Sequence, residues 1–509
     1  MKSNQLKAGT ILSYAQMLLG IIVGLVYTPI MIKLLGQSEY GLYVTVSSTI
    51  TMLTVLSLGF NSSYIRYYSR YKKDNDYESI YKLNGLFLLI FLIIGAIALL
   101  CGLFLSFNLE LVFDTGLTSE EYKIARVLML LLTANLAVSF PMSVFQCIIS
   151  AHERFIFLKL LGAVKTVLSP IVTLPILLLG YKSIAVVAVS VSLTLITDII
   201  YFIYVIFVLK NRFIFKNFEK GIFKSLFTFT AFIAINLIVD QINWNVDKFL
   251  LGRFRGTVSV AIYSVGFVLY NYYMTFSTSI SGVFTPRIHK IANETVGNKE
   301  LQTQRFTELF TKVGRIQFLI LMLLSTGIVF FGQAFISFWA GEGYENSYYV
   351  ALLLVLPATI PLMQNVGIEV QRALNKHKFR SILYAGMALI NLVSTIFLCQ
   401  LYGEIGASLG TAISLIFVNG IIMNIYYHKE CNINIIHFWK NILRQCVGLI
   451  IPVAIGIVIY KLVTITSIWQ LLAWICVYAV TYCMSMFFLG MNAYERNLIL
   501  KPIKRIFKR

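Results

Sequence analysis

The sequence predicts an all-α polytopic membrane protein of about fourteen transmembrane helices, built as two parallel six-helix lobes with two further helices after them. Three observations predict it. The chain has 509 residues, 58% of them hydrophobic and 13% charged. A soluble domain carries roughly 45–50% apolar and about 25% charged residues, so the surplus apolar surface has to face lipid. That surface comes in repeated blocks, each long enough for the about 20 residues a helix needs to cross a bilayer. The Lys and Arg residues between the blocks fall mainly on one side.

The first block, 9–32, runs on from Ala8 without a small-residue cleavage site, so it reads as a retained helix. The second, 40–66, closes on Asn61-Ser62-Ser63-Tyr64-Ile65-Arg66. Blocks at 83–107, 124–149, 156–180 and 184–209 follow, the last two parted by Gly180-Tyr181. A basic stretch precedes 226–252, and Arg253 and Arg255 precede 258–284. The longest inward connection, 285–312, carries Arg287, His289, Lys290, Lys299 and Arg305 and joins two halves of the chain. Then come 313–338, 349–372, 380–401 and 405–427, with the turn Tyr402-Gly403-Glu404 dividing the last two. Blocks 445–462 and 467–490 complete the set. Leu, Ile, Phe and Val fill the blocks without strict alternation, which argues against a barrel. The expected divisions are a lobe over 1–220, a second lobe over 221–439, the appended helices over 440–490 and a basic tail over 491–509.

With the N-terminus in the cytoplasm, 33 of the 42 Lys and Arg residues lie inward and 7 outward, while Lys165 and Lys248 fall inside helices. This sidedness supports an even number of spans and two cytoplasmic ends. The net charge of +20 is therefore mainly a topology signal, and no nucleic-acid partner is expected. The tail from Arg496 pairs Ile499, Ile503 and Ile506 with basic residues, as expected of a segment lying on an anionic inner leaflet. The longest outward loop, 108–123, leaves no room for an extracellular domain.

A weak internal repeat is visible. His152-Glu153-Arg154-Phe155 and His377-Lys378-Phe379-Arg380 each precede a helix, and Gly180-Tyr181 and Tyr402-Gly403 end those helices. Leu34-Leu35-Gly36 and Leu250-Leu251-Gly252 correspond in the same way. Six spans separate each unit from its copy, so both face the same way.

Ionisable groups inside spans are expensive and usually face a cavity or a partner. In 226–252, Asn236, Asp240, Asn243 and Asp247 follow spacing 4, 3, 4 and form one stripe, with Gln241, Asn245 and Lys248 beside it. In 349–372, Asn365, Glu369 and Arg372 form another polar face beneath Pro357 and Pro361, which should bend the helix. Lys165 and Asp198 read either as cavity groups or as a pair between neighbouring helices, and Glu369 and Arg372 either as site residues or as a local pair. Arg66 and Arg372 also read as snorkelling to lipid phosphates.

Other chemistries are disfavoured. The seven cysteines show no metal or redox spacing. All five histidines lie in or beside inward loops, which weakens an acyltransferase reading. No phosphate-cradling glycine loop is present. The expectation is a transporter working by alternating access, not an enzyme.

The stretch Pro29 to Tyr43, with Ile32-Lys33-Leu34-Leu35-Gly36 and Glu39-Tyr40-Gly41-Leu42-Tyr43, resembles the start of polysaccharide-biosynthesis flippases. So do Leu58-Gly59-Phe60 before Arg66-Tyr67-Tyr68, and Asn245-Val246-Asp247-Lys248-Phe249-Leu250-Leu251-Gly252 leading to Tyr263-Ser264. The run Asn391 to Gly410 is also similar. The family is the oligosaccharidyl-lipid flippases of the multidrug/oligosaccharidyl-lipid/polysaccharide exporter superfamily. The resemblance implies two lobes around a central cavity in a bacterial cytoplasmic membrane. It implies a polyprenyl-diphosphate-linked oligosaccharide as cargo, a Na⁺ or H⁺ gradient as driving force, and polymerases and glycosyltransferases as companions. Candidate cargo contacts are Arg66, Lys165, Lys248, Arg372 and Asn243; candidate coupling groups are Asp240, Asp247, Asn391, Thr411 and Glu369. Lipid II flippases are similar in placing Na⁺ between helices 7, 11 and 12. Here Asp240, Asn391 and Thr411 match that pattern, but Thr395 stands where an acid is expected. Two other cargoes stay open within the superfamily, lipid II and cationic drugs. A membrane glycosyltransferase or polymerase is the distant alternative.

Overall fold

The computed structural model describes residues 2–114, 117–218 and 221–506. It is 87% helical, with no strand among the described residues, so the chain is not a barrel. Among the described residues, eleven helices are long and apolar enough to cross a membrane. One of them, Lys378–Lys429, is two legs joined at Gly403 (φ 58°, ψ −134°), the turn expected there. A positive φ is nearly free for glycine, which lacks a Cβ. Helical runs over 222–254 and 257–282 stand where the seventh and eighth spans are expected. By packing the chain divides into two compact units, Met1–Ala261 and Ile262–Arg509, so the run over 222–254 belongs by packing to the first.

The first unit holds α1 (Lys2–Leu35), α2 (Gln37–Met52), α3 (Phe60–Lys73), α4 (Tyr77–Phe107), α5 (Ser119–Ala151), α6 (Phe155–Leu178), α7 (Lys182–Ile203), α8 (Ile222–Gln241) and α9 (Asp247–Phe254). The single helix expected over 40–66 is broken. Leu58 (φ 48°) and Gly59 (φ 74°) are both left-handed, which ends the hydrogen-bond ladder and starts α3 in a new direction. Phe60, at the start of α3, meets Phe87 and Phe91 of α4 edge-on at 6.3 Å each. Aromatic rings bury 150–250 Å² apiece, roughly, so this contact fixes where α3 sits. At the start of α7, the Glu39 carboxylate of α2 accepts the Ser183 N–H (2.9 Å) and hydroxyl (2.7 Å) and pairs with Lys182 (3.2 Å). A carboxylate at the first turn of α7 also meets the positive end of that helix.

His152 occupies the short turn between α5 and α6. Its Nδ1 lies 2.9 Å from the Ile148 carbonyl and its Nε2 3.2 Å from the Tyr68 hydroxyl. The neutral ring satisfies both, with Nδ1–H donating and Nε2 accepting. Burial, together with Lys72 and Arg154, pushes its pKa below the ordinary 6.5. A histidine lowered on folding adds stability above its unfolded pKa and loses it as pH falls toward the folded one. The wild type should therefore lose thermal stability from about pH 7 downward. His152→Gln should lack that component when melting is followed from pH 8 to 5; an unchanged slope would exclude His152 as its source.

The second unit carries most of α10 (Thr257–Gly282), then α11 (Thr285–Glu294), α12 (Lys299–Trp339), α13 (Asn346–Met363), α14 (Val366–Ala373), α15 (His377–Leu415), α16 (Met423–Lys429), α17 (Ile435–Cys446), α18 (Ile450–Leu462), α19 (Ile468–Ser485) and α20 (Ala493–Ile506). The expected bend below Pro357 and Pro361 is a full break at Gln364 and Asn365. α12 begins well before the expected span at 313. Its 41 residues make a rod of about 60 Å, twice the hydrocarbon thickness of roughly 30 Å. α17 was not expected; it buries Ile435, Phe438, Ile442 and Gln445 along one face.

Candidate functional site: polar groups within the helical units

In the first unit the polar stripe of the seventh span meets a π-helical turn at Ile242–Val246. Asp240 and Asp247 would share a face of an unbroken α-helix. The wider turn rotates α9 against α8, and the two acids end in different surroundings: Asn236 and Asp240 are exposed, while Asp247 is 2% exposed. π turns inside helices occur frequently at functional sites. Gln241 Nε2 donates to Thr54 Oγ1 (3.1 Å), and Asn245 Nδ2 donates to Gln241 Oε1 (2.6 Å). The second stripe is thus tied to the broken end of α2. Asn243 Oδ1 is buried without a hydrogen-bond partner. Such an acceptor costs about 1–3 kcal/mol, which a ligand donor would recover. Lys248 is half-buried.

Lys165 Nζ donates to Thr194 Oγ1 of α7 at 2.8 Å. Asp198, one turn further along α7, accepts from Ser139 Oγ at 3.4 Å. Among the described residues no Lys165–Asp198 ion pair forms within 4 Å. Arg66 lies exposed on α3 beyond the Leu58–Gly59 break.

In the second unit Arg372 pairs with Glu369 at 2.6 Å, and the arginine is exposed. This is the local pair one turn apart that the spacing allowed. Asn391 Oδ1 accepts from Thr395 Oγ1 and Thr411 Oγ1, each at 3.2 Å, so the two legs of α15 bring Asn391, Thr395 and Thr411 together. All three are buried. Glycine at 410 permits the approach, since a Cβ there would lie 2.9 Å from Thr395 Oγ1. The cluster is neutral, and Asp240 belongs to the other unit. Among the described residues no group of three or more His, Cys, Asp or Glu could hold a metal ion.

Two polar assemblies went unread in the sequence. Ser277 Oγ of α10 bonds to Gln317 Oε1 of α12 and accepts from Asn365 Nδ2 (3.2 Å), while Gln317 Nε2 donates to the Ser277 carbonyl (3.3 Å). Gln364 Nε2 and Trp439 Nε1 both donate to Asn424 Oδ1, at 2.8 and 2.9 Å. The break between α13 and α14 is therefore stitched by amides; Gln364 and Asn365 beneath the two prolines were its visible signal. The second assembly is Arg315, a residue that sidedness alone counts as one more inward charge. Its Nε and Nη2 donate to Glu495 Oε1 and Oε2 (2.6 and 2.8 Å), and Nη1 and Nη2 to the Asn441 and Gly490 carbonyls (2.9 and 3.0 Å). Both side chains are under 10% exposed.

A family model described as polysaccharide biosynthesis protein matches residues 6–292. Among solved structures, the chain is similar to the lipid II flippase MurJ in an inward closed conformation, with a TM-score of 0.72 and 16% identity over 96% of this chain and 99% of that one. It is similar to an inward-facing multidrug resistance MATE family transporter of the MOP superfamily (TM-score 0.64, 14% identity, 82% and 99% covered). A MOP superfamily transporter from Pyrococcus furiosus, for which a binding pocket of reverse polarity is described as suggesting a different function, follows at 0.55, with 15% identity and 86% and 95% covered. At such identities the likeness is one of fold. No curated protein matches the chain.

Proposed function

The chain belongs to the polysaccharide biosynthesis protein family, and on that premise we propose that it is a flippase turning a polyprenyl-diphosphate-linked oligosaccharide repeat unit from the inner to the outer leaflet for surface polysaccharide assembly. Carrying a diphosphate across bare hydrocarbon is prohibitive, so the protein has to offer cations within its spans. The observation that carries the reading is Lys165, an ammonium inside an apolar helix that rests on a threonine hydroxyl rather than a carboxylate. With no carboxylate within 4 Å among the described residues, its remaining donors are open to a phosphate oxygen. Arg66, Lys248 and Arg372 are the further proposed contacts, with Asn243 Oδ1 ready to take a sugar hydroxyl. Asp240 is the proposed coupling acid for Na⁺ or H⁺, with Asp247 and Glu369 as other acids and Asn391 and Thr411 as neutral oxygens. Cationic drugs favour an acidic site, which speaks against drug export. Lipid II as cargo is the second reading, favoured by the fold likeness to MurJ; essentiality of the gene would separate it from the first.

Deleting the gene should lower surface polysaccharide and raise the pool of single lipid-linked repeat units. Complementation with Arg66→Ala, Lys165→Ala or Asp240→Asn should not restore the polymer at normal expression. A charge-assisted bond of about 1.5–3 kcal/mol corresponds to a transport loss of roughly 10- to 100-fold for Lys165→Ala. Unchanged polymer and intermediates, in a strain without a second flippase, would remove the polysaccharide role.

A further inference from the structure

We propose that the cavity between α11 and the cytoplasmic extension of α12 binds the phosphate headgroup of an inner-leaflet anionic lipid. The cavity measures about 460 Å³. Arg287 and Lys290 reach it from α11, and Arg305 and Lys312 from α12, opposed by Glu294 and Glu308. Glu294 is bridged by Lys290 (3.6 Å) and Arg305 (2.8 Å), which preorganises two cations on one carboxylate. Arg287 has no hydrogen bond or ion pair among the described residues. Lys312 Nζ sits 3.6 Å over the Tyr494 ring of α20, a contact that orients the ammonium without neutralising it. The next residue, Glu495, is locked to Arg315, so the ring that orients Lys312 is held in place.

Placement favours a lipid over a soluble anion. Lys312 stands one residue before the expected span at 313, and the other three cations lie in the cytoplasmic connection. Ile291 and Leu309 add apolar surface to the lining. Ile288, Ile291 and Ala292 bury one face of α11, leaving Arg287, Lys290 and Glu294 on its open side. Basic pockets on the cytoplasmic side of membrane helices suit phosphodiester and diphosphate headgroups. The site stands whichever cargo the protein carries.

The full-length protein should be reconstituted in nanodiscs of phosphatidylcholine with or without 20% phosphatidylglycerol. Lipid retention after exchange into detergent and the melting temperature are then read. Phosphatidylglycerol should be retained and should raise the melting temperature. Arg287→Gln with Lys312→Gln should weaken retention roughly fivefold for each cation removed. Glu294→Gln frees Lys290 and Arg305 and should strengthen retention, an outcome that misfolding cannot imitate. Competition by polyprenyl diphosphate would show that the site accepts the diphosphate headgroup too. Equal displacement by inorganic phosphate would make the ligand a free ion and overturn the lipid assignment. Retention unchanged in both variants would overturn the site.

Discussion

Glu495→Gln lowers stability by about 3–5 kcal/mol, the usual cost of stranding one member of a buried ion pair. The neutral amide keeps the shape of the carboxylate but cannot offset the Arg315 guanidinium, which is 6% exposed. Four further bonds converge on the pair: two carbonyls accept from Arg315, the Asn492 N–H donates to Glu495 Oε2 (2.9 Å), and Gln445 Nε2 donates to the Arg315 carbonyl (3.2 Å). The bidentate fork adds geometry that a lysine cannot reproduce, so Arg315→Lys should lose most of the same amount. Melting in detergent gives the energy, and hydrogen exchange over residues 493–501 reports the release of α20. Exchange at wild-type rates with an unchanged melt would mean that the pair is not what holds the helix. The double change Arg315→Met with Glu495→Leu should recover much of the loss, because apolar replacement of a buried pair is often neutral or stabilising.

Gly406→Ala is the second large effect. A Cβ at 406 would stand 1.9 Å from the Leu398 carbonyl oxygen and 2.4 Å from its carbon. Both are backbone atoms of the opposite leg of α15, so no side chain can swing away, and the legs themselves have to part. Overpacking of this kind costs about 1–3 kcal/mol. Parting the legs also lengthens the Asn391–Thr411 bond, so transport should suffer with stability. Gly386 on the first leg is the internal control, since a Cβ there meets nothing within 4 Å. Gly386→Ala should be neutral or stabilise by up to about 1 kcal/mol. Equal melting temperatures for the two alanine variants would exclude the clash.

The sequence carried the helices well where a single physical signal was sufficient. Tyr402-Gly403-Glu404 marked the α15 turn because glycine punctuates two apolar blocks at a spacing too short for any other solution. The α2–α3 break was not legible, since Leu58 carries no breaker signature and Gly59 alone is tolerated in a helix. α17 was readable in principle from Ile435, Phe438, Ile442 and Gln445 at spacing 3, 4, 3, but four such residues between two spans are easily taken as loop. Local polar pairs, such as Glu369 with Arg372, follow from helical spacing. Contacts between distant segments do not. Arg315 and Glu495 lie 180 residues apart, and no period connects them. The meeting of Asn391 and Thr411 depended on the family resemblance, and the π turn that separates Asp240 from Asp247 left no mark in the residues around it.

The clamp on Arg315 also makes α12 a lever. A stiff rod held at one point turns about that point. From the pivot at Arg315 the arm to Lys299 spans about 24 Å and the arm to Trp339 about 36 Å, at roughly 1.5 Å per residue. A tilt that carries the Trp339 end sideways therefore swings the Lys299 end the opposite way, by about two thirds as much. Arg305 and Lys312 ride on the short arm, so whatever grips them resists motion at the Trp339 end with a mechanical disadvantage set by where one arginine was placed.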